Sequence, residues 1–235
     1  LLVRNMLAIR MRSGAEAPVG HQAAVADTAA VSAGERSFAS DLAFAGLDAI
    51  AMSDNVFPSV AVMVIKFSDA AAMAARDSGD ASLLADRLAA ALQDIAATHD
   101  IPYMKLVGHD VVAAAGYAPD DTAAVLRIAD AAVATRERCL ELFEAAGHPP
   151  SLRIGIDCGI AVGSEVGRQP RLFNLWGHAV HTADMMAASS TGTGAIQVTE
   201  AAYHRLRSHF LFRLRGSFYL PHIGTAQTFV LGSRR

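Results

Sequence analysis

Three short segments carry residue types that can do chemistry together. Phe67-Ser68-Asp69 puts a carboxylate after an apolar run, and Lys105-Leu106-Val107-Gly108-His109-Asp110 sets an ammonium, an imidazole and a second carboxylate close together. Two carboxylates on neighbouring strands can hold Mg²⁺ or Mn²⁺, hard cations that prefer oxygen ligands. Taken singly, a carboxylate at a strand end is more often a cap or turn residue. The third segment runs from Arg153 to Gly167 and contains Gly155, Gly159 and Gly163. Such glycines either let backbone approach another group closely or mark bulges in a strand. The Gly-Lys-Ser/Thr ending of a phosphate loop is missing.

The elements that must position these groups are readable from residue 58 onward. Val60 to Ile65 is a continuous apolar run after Pro58, as expected of a strand buried on both faces. Asp80 or Ser82 can cap a helix reaching about Thr98, with Leu84, Leu88, Leu92 and Ile95 on one face. Ile101 to Val107 and Val111 to Tyr117 read as a hairpin turning at Gly108-His109-Asp110. Asp120 and Asp121 open a long helix that Gly147 and Pro149-Pro150 close. Leu152 to Ile156 and Ile160 to Val162 are strand-like. The order is βαββαβ, a ferredoxin-like, split βαβ arrangement of the α+β class. A C-terminal strand and helix extension follows: a helix over 177–188, a strand over 195–198, a short helix over 199–206, and closing strands over 210–214 and 228–231. Residues 1–57 are rich in Ala, Ser and Gly with weak periodicity and read as a helical lead-in or linker from an upstream module; residues 58–235 form the domain.

In this order the segments resemble the class III nucleotidyl cyclase homology domain. Phe67-Ser68-Asp69 resembles its first metal motif, and Lys105 through Gly116 resembles its Lys-x-x-Gly-Asp hairpin with the closing glycine. Arg153 through Gly167 is similar to the family's glycine-rich strand, Phe173-Asn174-Leu175-Trp176-Gly177 to its Asp-containing Trp-Gly motif, and Val180-His181-Thr182-Ala183 to its Val-Asn-x-Ala motif. The resemblance spans about residues 58 to 232. It implies a palm-like domain pairing head to tail as a homodimer, or as a heterodimer with another cyclase domain, with active sites at the interface. Two metal ions, Mg²⁺ or Mn²⁺ in an active protein, and two aspartates would activate the ribose 3′-hydroxyl of ATP or GTP for attack on the α-phosphate.

Carried over residue by residue, the resemblance makes Asp69 the first metal aspartate and Lys105 the purine-reading lysine. The second metal aspartate falls on His109, with Asp110 one place later; a one-residue offset in a strand turns a side chain to the other face. The purine-reading aspartate becomes Asn174, whose amide oxygen still accepts a hydrogen bond. The ribose-orienting asparagine becomes His181, the transition-state arginine becomes Met185, and the phosphate lysines are absent from Leu220-Pro221-His222-Ile223-Gly224. Substitutions on both halves of a composite site imply a dimerising regulatory domain that binds nucleotide with little or no turnover. The alternative that Asp69 and Lys105 keep open is a working adenylate or guanylate cyclase.

Other features have plainer readings. His178, His181 and Asp184 share one predicted helix, with no glutamate general base between the histidines and no third ligand evident. Arg205, Arg207, Arg213 and Arg215 interleave with Phe210 and Phe212, a pattern that single-stranded nucleic acid can use but that a solvated strand face explains more simply. The net charge of −3 argues against a nucleic-acid partner or an anionic membrane. No apolar run is long enough to span a bilayer, so no membrane contact is expected. The two cysteines, Cys139 and Cys158, make no disulfide framework and fit a cytoplasmic compartment. The chain opens Leu1-Leu2-Val3-Arg4 without Met or a signal pattern, which fits the cytosolic part of a larger signalling protein. Lysine occurs only at Lys66 and Lys105.

Overall fold

A computed structural model describes residues 55–67, 78–107, 110–166, 172–190, 192–220 and 224–235. Residues 1–54 of the expected 1–57 lead-in lie outside them, as do Asp69 and His109, while residues 55–57 belong to the first strand.

The elements in order are β1 (Asn55–Phe67), α1 (Ser78–Thr98), β2 (Tyr103–Val107), β3 (Asp110–Ala115), α2 (Ala124–Ala145), β4 (Leu152–Val166), β5 (Leu172–Trp176), α3 (His178–Ser189), β6 (Ala195–Thr199), α4 (Glu200–Leu206), β7 (Phe210–Leu220) and β8 (Gly224–Arg234). They build one sheet in the order β2-β3-β1-β4-β6-β8-β7, with β5 pairing β4 off that path. β1 runs antiparallel to both β3 and β4, so the βαββαβ half has the expected split arrangement.

β1 is buried on both faces, which is why it reads as an unbroken apolar run. Ala61, Met63 and Ile65 face the larger core cluster, where α1 contributes Leu84, Leu88 and Leu92 and α2 contributes Ile128 and Phe143. Val60, Val62 and Val64 face a second cluster with Phe173 and Leu175 of β5 and Ala179, Ala183 and Ala187 of α3. The chain's abundant alanine is used here. Ala179, Ala183 and Ala187 recur every fourth residue and are fully buried, a flat stripe on which a helix can lie close to a sheet. Gly155 of β4 completes the fit, because a Cβ there would sit 2.0 Å from the Ala183 carbonyl oxygen and 2.4 Å from the Ala187 nitrogen.

Several boundaries differ from the sequence reading. β4 is one strand through Cys158 and Gly159, because Gly155 and Gly163 meet α3 and the Phe173 ring instead of forming bulges. The Asp120 and Asp121 segment is a turn, and α2 starts at Ala124; Asp121 instead accepts both Arg127 guanidinium nitrogens, at 2.9 and 2.6 Å. Gly147 does close α2: its amide reaches the Glu144 carbonyl and the His148 amide the Phe143 carbonyl, a Schellman ending with Gly147 at φ 66°. β7 and β8 form a longer hairpin than expected, pairing from Phe210 with Arg234 to Leu220 with Gly224.

Candidate functional site

The two lysines project from one face of the sheet. Side chains alternate along a strand, so Lys105 of β2 shares a face with Tyr103, and Lys66 of β1 with Val62 and Val64. Both faces belong to the cluster beneath β5 and α3. Register places Lys66 opposite Asp110 and Lys105 opposite Val112, which puts the lysines on adjacent rows of that face.

Lys105 Nζ donates to Asn174 Oδ1. These residues come from β2 and β5, which are not neighbours in the sheet. Aromatic packing brings them together: Tyr103 and Phe173 meet edge to face at 5.8 Å, and Tyr117 and Phe173 at 6.2 Å. Burial raises the Tyr103 hydroxyl to about pKa 12, offset in part by a backbone hydrogen bond with Leu175. Tyr103 is therefore a neutral phenol that pins β2 to β5, holding the amide oxygen of Asn174 toward the ammonium.

Lys66 is the hub of a second group, and the sequence reading gave it no role. Its ammonium lies 2.6 Å from Asp110 Oδ2 and 2.7 Å from Asp184 Oδ1. Burial works against the charge, but hydrogen bonds and charge from both carboxylates outweigh it, so Lys66 titrates above 10.5. Its rarity in a chain with two lysines, directly after an apolar run, was the available signal.

The other expected residues are placed less closely. Asp110 lies on the α3-side face, in the pair with Lys66, while Asp69 and His109 lie outside the described residues. His181 is exposed on the first turn of α3, its amide bonded to the Gly177 carbonyl. Met185 is half-buried one turn later. His178 turns toward Thr182, with Nδ1 3.3 Å from the hydroxyl, so the His178–His181–Asp184 set is not assembled. Among the described residues, no three His, Cys, Asp or Glu side chains gather to hold a metal ion. Asp110, one place after the position on which the resemblance puts the second metal aspartate, has the Lys66 ammonium against it. As placed, the Asp110 carboxylate is committed to an ammonium and does not offer a free ligand to a divalent cation.

Beside these groups, α3 and α4 are fixed by polar contacts. Arg153 Nη1 reaches the Ala188 and Ser190 carbonyls, at 3.4 and 3.2 Å, closing the C-terminus of α3. Thr199 donates to Asp157 Oδ1 at 2.6 Å and accepts from the Ala202 amide at 3.3 Å, capping α4. Burial raises the Asp157 carboxyl above its usual value, against hydrogen bonds from Thr199 and the Cys158 backbone and the charges of His178 and Arg205. Among the described residues, no helix is long and apolar enough to cross a membrane.

Comparison with known proteins gives one family. The model of the adenylate and guanylate cyclase catalytic domain matches residues 52–233. An adenylate cyclase of Mycobacterium tuberculosis is 31% identical over 153 residues, which cover 64% of this chain and 34% of that protein. The chain thus spans about a third of the length of that curated relative. The adenylyl cyclase CyaB of P. aeruginosa superposes with a TM-score of 0.70 at 17% identity, covering 78% of this chain and 98% of that one. The guanylate cyclase domain of RhGC from Catenaria anguillulae, solved in complex with GTP, gives 0.64 at 20% identity, covering 77% and 99%. At these identities the two structures establish the fold.

Proposed function

Because the chain belongs to the adenylate and guanylate cyclase catalytic-domain family, we propose that it is a dimerising, nucleotide-binding regulatory domain whose own turnover is weak or absent. The observation that carries the reading is the Lys105–Asn174 hydrogen bond. It joins two strands that do not pair, and it keeps an ammonium and an amide where the resemblance expects the purine edge to be read. This contact supports a nucleotide-recognition role in outline, with Asn174 accepting through a neutral oxygen in place of a carboxylate.

The chemical step is less well served. His181 and Met185 stand where the resemblance expects an asparagine and an arginine, and a thioether donates no hydrogen bond to a developing charge. Loss of one such donor costs about 10²–10³ in kcat. Dimerisation is supported by an exposed apolar row: Val56 and Trp176 flank Val162 in the sheet, and Ile160 lies two residues along β4. Val56, Ile160 and Trp176 are 63%, 54% and 41% exposed, and a contiguous apolar patch on a folded domain marks an interaction surface. A second cyclase domain, the same chain or another, is the partner proposed, and the cytoplasm is the compartment.

Two measurements test this. Binding of ATP and GTP to the wild-type chain should weaken at least about tenfold in Lys105→Met, as expected when a half-buried charged donor is removed. Cyclic nucleotide formation, assayed with Mg²⁺ and with Mn²⁺ at high protein concentration, should stay at background. Product that forms and disappears in Asp69→Ala would overturn the regulatory reading in favour of a working cyclase.

A further inference from the structure

Lys66, Asp110 and Asp184 reach one point from three elements: the end of β1, the start of β3 and the middle of α3. The side chains of Lys66 and Asp110 are 19% and 30% exposed, so the pair is largely withdrawn from water. Two carboxylates brought this close repel unless a cation stands between them. Where that cation is Mg²⁺, it takes six mostly oxygen ligands in near-octahedral geometry. Here it is the ammonium at the end of a lysine stem, two of whose three N–H donors face these carboxylates.

We propose that Lys66 is a built-in cation that takes the place of a divalent ion at Asp110, neutralising Asp110 and Asp184 and tying the hairpin strand β3 to α3. The inference rests on the reading above only for the expectation that a metal belongs at this hairpin; the ion pairs stand without it. Lys66 is a positioning residue in this account. It holds the strand ends beside Lys105 in register with α3, and it withholds the Asp110 carboxylate from metal coordination.

The test is Mn²⁺ binding to the purified chain, followed by the loss of the free-ion paramagnetic resonance signal. Asp110→Asn is expected to leave the Mn²⁺ affinity within about twofold of wild type. A change in a ligand's supporting partners costs about 10–100-fold in metal affinity, and loss of a true ligand at least that much. Lys66→Met is expected to raise the affinity about tenfold, since it leaves two facing carboxylates without a counter-charge, and adding Asp110→Asn to it should abolish the gain. A tenfold or larger drop in Asp110→Asn alone would overturn the proposal, as would a folded Lys66→Met with no gain. If Lys66→Met does not fold, the Asp110→Asn titration decides. Wild-type turnover tests the functional reading and Mn²⁺ affinity tests this one, so the two fail separately.

Discussion

Replacing Gly155 with alanine tests the packing that holds the site together. The added methyl would lie 2.0 Å from the Ala183 carbonyl oxygen, 2.4 Å from the Ala187 nitrogen and 2.9 Å from Met186 Cβ. Two of these three atoms are α3 backbone and cannot rotate away. Restoring ordinary contact, which begins at 3.4 Å, requires α3 to withdraw by about 1.4 Å. Forced overpacking of this kind costs about 1–3 kcal/mol. For a chain of this size 2 kcal/mol corresponds to a fall in Tm of about 4–8 °C. Gly159→Ala is the matched control: it lies on the same strand and face, and its Cβ would find only Ala179 Cβ, at 3.9 Å. Urea unfolding of wild type and both variants is the assay, with the cost read from the midpoint at unchanged slope. Asp184 follows Ala183 on α3, so the same withdrawal lengthens its 2.7 Å contact with Lys66. Equal midpoints for Gly155→Ala and Gly159→Ala would refute the account of α3 seated against β4.

Two further outcomes are expected from the buried polar groups. Thr199→Val removes both the donor to Asp157 and the cap of α4, and should cost about 2–4 kcal/mol at pH 7. The Asp157 carboxyl is raised above 3.8 on folding, so the stability it contributes is complete below that value and is lost as pH rises through its folded pKa. The Thr199→Val penalty should accordingly be smaller at pH 4 than at pH 7 by urea unfolding, and an equal penalty at both would refute this role for Asp157. Burial raises the thiols of Cys139 and Cys158 to about 12 and about 11. At pH 8 about a thousandth of Cys158 is thiolate, so native alkylation by iodoacetamide should run far slower than in urea. Because both thiols titrate above 9.0 once folded, they begin to withdraw stability as pH rises past that value. Rapid native alkylation at pH 8 would contradict their placement in the core.

Local periodicity made α1, α2, β1 and the β2–β3 hairpin legible, because each buries a regular stripe or a continuous run. β5 escaped it: five residues, Leu172–Trp176, are too short for a period to declare itself, and they are held by pairing with β4 and by rings from β2 and the segment after β3. The glycines of β4 were ambiguous for a related reason. Gly155 meets the α3 backbone and Gly163 the Phe173 ring, and nothing in β4 alone distinguishes such a close approach from a bulge. Lys105 and Asn174 could be paired on paper only through the family resemblance, since 69 residues separate them. Lys66 was passed over because no motif contains it, and its role depends on Asp184 arriving from α3 and Asp110 from β3. Composition and spacing define the scaffold, whereas long-range register decides which charges meet.

The central place of β1 also dictates when the domain can form. Its partners on either side, β3 and β4, are both made later in the chain, and Val62 must wait for Asp157 to complete its pairing. On the ribosome the nascent strand therefore spends the synthesis of α1 with both edges unpaired, and that of α2 with its β4 edge still open and a run of valine, methionine and isoleucine exposed to its surroundings. Long-range pairing of this kind is slow to close and prone to association before closure. A chain released before Leu152 would carry that open edge permanently. The strand that gives the finished domain its rigidity is thus also the segment for which a chaperone, or the prompt arrival of β4, matters most during synthesis.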